Sequence, residues 1–99
     1  AWAGEIEGSK AVLLAKATAR REVELWEWRL EPGDRYCPDP DLEGWSEQLF
    51  VFEGSLTLVV GDVETTIAAG EFFMFPSHQP HAYRNDGPVA VRFIRNVVI

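Results

Sequence analysis

Along the chain, apolar and polar positions alternate in short runs that are cut at close intervals by Gly, Pro, Asn and Asp. The cuts fall at Pro32-Gly33-Asp34, Glu53-Gly54, Gly61-Asp62, Ala69-Gly70 and Asn85-Asp86-Gly87-Pro88, residues that reverse or bend the backbone at low cost. Between them, Glu22 to Leu30, Glu47 to Phe52, Ser55 to Val60, Val63 to Ile67, Glu71 to Phe75, His81 to Arg84 and Val89 to Val98 are rich in β-branched and aromatic residues. None of these runs has a sustained helical period, so each predicts a strand. Ala11 to Ala19 is predicted as a further strand from the strands that follow it, although its Ala content also tolerates a helix. Gly61-Asp62 between Val60 and Val63 predicts a two-residue hairpin. Many short, evenly spaced strands predict an all-β closed barrel or jelly roll, architectures that remove exposed edges. The stretch from Arg35 to Ser46 carries Asp39, Asp41, Glu43, two prolines and Cys37, and reads as a mouth or lid loop.

Strand alternation sorts the candidate side chains. Leu49 and Val51 share a face with Glu47, Trp26 and Leu30 share one with Trp28, and Tyr83 shares one with His81. If the apolar faces point inward, Glu47 is buried and needs a partner or a proton. Trp28, Phe75, Tyr83 and Phe93 then line an interior in which core and ligand cavity share walls. Arg92 and Arg95 have opposite parity, so at most one points inward, and an inward Arg would indicate an anionic ligand. For each Arg taken alone, a solvated outer face is the default. Apolar residues of both parities from Val89 to Ile99 leave a dry outer surface that a homodimer would cover.

Composition narrows the classes. Ninety-nine residues, 46% of them hydrophobic and including four Trp and six Phe, provide one core and exclude disorder. A net charge of -7 repels phosphate backbones, so the domain itself is not expected to bind nucleic acid. A single cysteine, Cys37, permits no internal disulfide and fits a cytoplasmic setting. No run approaches the ~20 apolar residues of a spanning helix, so no membrane role is expected. The chain also holds no nucleophile elbow and no phosphate-cradling glycine loop, and Cys37 has no local His partner, which excludes covalent catalysis of the familiar kinds.

Two segments carry a family resemblance. Glu47 to Gly54, and Gly70, Pro76, His81 and Asn85 in step with one another, resemble the two motifs of the cupins, with His78 in place of the second motif's middle Gly. Trp28, Leu30, Pro32-Gly33, Glu43-Gly44 and Pro80 to Asn85 extend the likeness to the C-terminal cupin of XRE-type helix-turn-helix regulators. The resemblance implies a small cupin, a double-stranded β-helix or jelly-roll barrel, spanning residues 1–99 as one domain. It further implies a C-terminal piece of a longer bacterial transcriptional regulator. Such a domain binds a small-molecule effector, commonly as a homodimer, and reaches DNA only through a separate N-terminal helix-turn-helix domain.

Cupin metals are held by three His and one Glu. Here Asp41 and Glu43 stand where the first motif's two His would be, leaving Glu47 and His81 at matching ligand positions. The expectation is a sensor without a cofactor. A divalent metal on Glu47 and His81, with Asp41 or Glu43, belongs to the alternative, a metal-dependent dioxygenase or isomerase. The ligand-binding candidates are Trp28, Glu47, Phe75, His81, Tyr83 and Phe93. No catalytic residue is assigned, and His78 is expected on a solvated turn. The acidic balance and Glu47 mildly favour a cationic or amine ligand.

Overall fold

The computed structural model describes every residue except Ala1, Gly4 and Ser9. Ten strands form in chain order: β1 (Trp2–Ala3), β2 (Lys10–Ala11), β3 (Val23–Leu30), β4 (Arg35–Tyr36), β5 (Ser46–Glu53), β6 (Ser55–Val60), β7 (Val63–Ala68), β8 (Phe72–Pro76), β9 (His81–Arg84) and β10 (Val91–Val98). Two four-stranded antiparallel sheets, β3-β10-β5-β8 and β4-β9-β6-β7, face each other, and β1 and β2 pair apart from them. No helix is present among the described residues, so none is long and apolar enough to cross a membrane. The fold is the all-β jelly roll expected from the strand spacing.

Period-2 alternation builds the core. Along β10, Val91, Phe93, Arg95 and Val97 are buried while Arg92, Ile94 and Asn96 are only half-buried. Along β5, Glu47, Leu49 and Val51 take the inward positions. Leu56 and Leu58 of β6 and Ile67 of β7 close the core from the facing sheet. The predicted hairpin is present: Val60 pairs with Val63 across Gly61, whose φ of +57° fits the first central position of a twisted two-residue turn.

Two of the motif residues are structural. Gly54 takes φ +74° against the backbone of Ala90 and Val91. Asn85 is buried, and its Nδ2 donates to the carbonyls of Leu30 (3.0 Å) and Val89 (2.8 Å) while its Oδ1 accepts from Gly87 N–H (3.0 Å). This amide therefore ties the end of β3 to the β9–β10 turn. Asn85→Ala is expected to cost about 2–4 kcal/mol, because three buried backbone groups lose their partner at once. Urea unfolding checks it, and a loss below about 1 kcal/mol would mean water replaces the amide.

Three expectations change. Ala11 to Ala19 is not a strand: only Ala11 lies in β2, and residues 12–19 run without regular structure. Leu14 and Ala15 lie instead over the outer face of the first sheet, lining a hollow of 160 Å³ with Gln48, Phe50, Phe72 and Ile94. That face presents side chains rather than a free backbone edge, so the segment finds no ladder to join. The dry outer surface also does not come from β10, where Val98 and Ile99 are buried. It comes from neighbouring strands, with Leu25, Phe72 and Met74 exposed. Third, Arg35 to Ser46 is not wholly irregular, since Arg35 and Tyr36 pair with Arg84 and Tyr83.

Candidate functional site

Register brings charged groups into an apolar interior. Glu47 on β5 lies between Val97 of β10 and Phe75 of β8, and Arg95 on β10 lies between Leu49 and Trp26. Glu47 is 0% exposed and Arg95 9%. Glu47 Oε1 accepts from Arg95 Nε at 2.9 Å and from the Tyr83 hydroxyl. Around the Arg95 guanidinium stand four rings, with centroids 5.6 Å (Tyr83), 5.7 Å (Trp28), 6.0 Å (Trp26) and 6.0 Å (Tyr36) away. These faces replace part of the water that the cation loses.

The second carboxylate oxygen differs. Glu47 Oε2 lies 3.6 Å from His81 Nε2, and neither atom has a hydrogen-bond partner. His81 Nδ1 is 2.8 Å from the Gln79 carbonyl. A carbonyl only accepts, so Nδ1 carries the proton and Nε2 is left as the free nitrogen of a neutral ring. The loop that follows β4 brings Asp41 to the same place, held by Asp41 N–H to the Ser77 carbonyl (3.0 Å) and Ser77 N–H to the Trp45 carbonyl (3.1 Å). Asp41 Oδ2 is also buried without a partner. One ligand atom each from Asp41, Glu47 and His81 lies within 4.8 Å of the other two. Glu43 is exposed and stays outside this group. Three buried acceptor atoms facing one another without a donor make an incomplete arrangement.

A divalent cation fits such a set, since one imidazole nitrogen and two carboxylate oxygens form a mixed ligand group that takes several first-row metals. With His81 neutral, the two carboxylates exceed Arg95 by one negative charge, which any cationic occupant would balance.

The titrations follow the packing. Burial pushes the Glu47 carboxyl up, but His81, the Tyr83 hydroxyl and the Arg95 charge together hold it below its ordinary value of 4.5. His81 is raised above 6.5, chiefly by the Glu47 carboxylate and against the effect of burial. Burial, with Glu47 beside it, keeps the Tyr83 hydroxyl protonated well above its usual range. The raised His81 stabilises the fold fully below 6.5, and this contribution is lost as pH climbs through the folded value. The lowered Glu47 acts above 4.5 and is lost as pH falls through its folded value. Metal-free protein should therefore unfold more easily at about pH 8.5 than at about pH 5.5, and His81→Gln should flatten that difference in urea titrations. Equal pH slopes for the two proteins would refute it.

Among the sequence candidates, Glu47, His81 and Tyr83 meet at one point. Phe75 packs edge-on to His81, and Phe93 stacks between Trp28 and Tyr83. Both Phe rings are buried in the core. Trp28 is half-buried, with its indole N–H unpartnered. Arg95 is the residue that strand parity left open. Its signal lay in Val91, Phe93 and Val97, which share its parity and need the inside. Arg92 points out, paired with Glu27 at 3.0 Å and Glu53 at 3.3 Å. His78 is exposed, beside an open hollow of 610 Å³ that Arg20, Glu43 and Trp45 also line. Neither surface hollow reaches Glu47 or His81.

Residues 26–98 match a family model described as a cupin domain. No curated protein matches the chain at a significant level. Solved structures similar to it include the cupin domain of an XRE family transcriptional regulator from Enterobacter cloacae, at 25% identity and TM-score 0.75 over 78% of this chain and 81% of that one. An HTH_3 family transcriptional regulator from Vibrio cholerae matches at 25% identity and TM-score 0.73, over 78% of this chain but 43% of its own length. A sugar phosphate isomerase of the cupin superfamily from Silicibacter pomeroyi matches at 25% identity and TM-score 0.62, over 80% and 52%.

Proposed function

The chain belongs to the cupin-domain family, and from that premise we propose that it is the effector-binding domain of a bacterial transcriptional regulator. The observation that carries this reading is the set of buried, unpartnered atoms on Asp41, Glu47 and His81, which a polar small molecule would complete. Similarity to the regulators from Enterobacter cloacae and Vibrio cholerae supports it. In this reading the chain acts in the cytoplasm as a homodimer, through the face that exposes Leu25, Phe72 and Met74. A separate helix-turn-helix domain contacts DNA, since a charge of -7 leaves this domain unsuited to the task.

A specific observation favours a second reading, a metal-dependent enzyme of the dioxygenase or isomerase kind. The same three atoms would hold a divalent ion, which would supply a Lewis acid beside Tyr83. The likeness to the isomerase leaves this reading standing.

Elemental mass spectrometry of the purified chain, alongside Glu47→Gln and His81→Ala, separates the two. The sensor reading expects no stoichiometric metal and a thermal-shift response to members of a metabolite library. About one metal per chain, lost in both variants and accompanied by turnover, would overturn it in favour of the enzyme.

A further inference from the structure

Resting on the effector-binding reading, the class of effector follows from two opposed sets of unused groups that meet at Glu47. On one side stand three acceptors: Asp41 Oδ2, Glu47 Oε2 and His81 Nε2, all buried and unpartnered. A primary ammonium has three N–H donors and no acceptor. With hydrogen bonds of about 2.9 Å at tetrahedral angles, it spreads its three acceptors about 4.7 Å apart. The three atoms here lie within 4.8 Å of one another, so an ammonium can reach all of them. It would also balance the excess negative charge left by Asp41 and Glu47 against Arg95.

On the other side stand donors. Among the described residues, Nε is the guanidinium nitrogen of Arg95 that has an acceptor, Glu47 Oε1. Its two terminal nitrogens point away from that bond, on a side chain 11% exposed. The indole N–H of Trp28 is buried without a partner, on a ring 5.7 Å from the guanidinium. A planar fork of N–H groups beside one more N–H matches a carboxylate. The aromatic walls exclude water and strengthen that contact.

The spacing of the two sets is fixed by one carboxylate. Glu47 Oε1 belongs to the donor side and Oε2 to the acceptor side, so the ligand's opposite charges must sit within a bond or two of each other. We propose that Asp41, Glu47, His81, Arg95 and Trp28 form a seat for a free α-amino acid, with its ammonium on the first three residues and its carboxylate on Arg95 and Trp28. A lone amine or a lone carboxylate satisfies only half of the groups.

The test is a thermal-shift and calorimetric series on the full chain treated with EDTA. Probes are the standard L-amino acids, 4-aminobutyrate and, for the best amino acid, the amine lacking its carboxylate and the acid lacking its ammonium. At least one α-amino acid should raise Tm, and each half-ligand should bind at least about tenfold more weakly. Trp28→Phe keeps the ring and removes only the N–H. It should weaken the amino acid and the acid several-fold and leave the amine unchanged. The seat is overturned if no amino acid shifts Tm, if the amine equals its parent, if 4-aminobutyrate binds best, or if Trp28→Phe changes nothing. A response to other members of a metabolite library, with none to amino acids, would overturn the seat and leave the sensor reading intact.

Discussion

Arg95→Met is expected to lower the free energy of unfolding by about 3–5 kcal/mol, the usual result of stripping one partner from a buried ion pair. The loss comes from Glu47, which is fully buried and would keep only the Tyr83 hydroxyl and the more distant His81 for its charge. His81 can take up a proton to compensate, so the loss should be larger at about pH 8.5 than at about pH 5.5. Replacing both partners, Glu47→Leu with Arg95→Met, should recover at least about half of it, because an apolar pair of similar bulk needs no solvation. A double-mutant cycle by urea unfolding checks this. If the two single losses simply add, the residues are not coupled and the pair is a surface contact in all but position.

Gly54→Ala is expected to cost about 3 kcal/mol, from positive φ together with overpacking against backbone. At φ +74°, an added Cβ would sit 2.6 Å from the Ala90 carbonyl oxygen and 3.0 Å from Val91 Cα. Backbone in a sheet cannot swing aside as a side-chain tip can. Gly33 supplies the control: its φ is +85° and nothing lies within 4 Å of an added Cβ, so Gly33→Ala should show only the conformational cost of about 1 kcal/mol. Equal losses at the two positions would show that strain alone, and not the close approach to Ala90, makes Gly54 necessary.

Much of this architecture was legible in the sequence, and what was not failed for identifiable reasons. Strand alternation placed Glu47 inside with Leu49 and Val51, and placed Tyr83 beside His81, because a period of two leaves little choice once one face is apolar. The same rule could not choose between Arg92 and Arg95 while each was weighed alone. Counting Val91, Phe93 and Val97 with Arg95 would have decided it. Asp41 and Glu43 were equivalent on paper. They separate only through the backbone bonds to Ser77, long-range contacts that no local pattern encodes. Ala11 to Ala19 was misread because propensity was taken from its neighbours, whereas a strand also needs an open edge to pair with.

The strand β10 is a wall with two working sides. Arg95 faces the buried polar cluster, while Ile94 and Asn96 face the hollow where Leu14 and Ala15 rest on the outside. Adjacent residues on one strand share a rigid backbone, so they turn together or not at all. Any tilt of β10 that accommodates a change at the Glu47 carboxylate must move Ile94 and Asn96 beneath the leading segment as well. The interior and the approach to the domain are thus two ends of a short lever whose fulcrum is a single peptide unit.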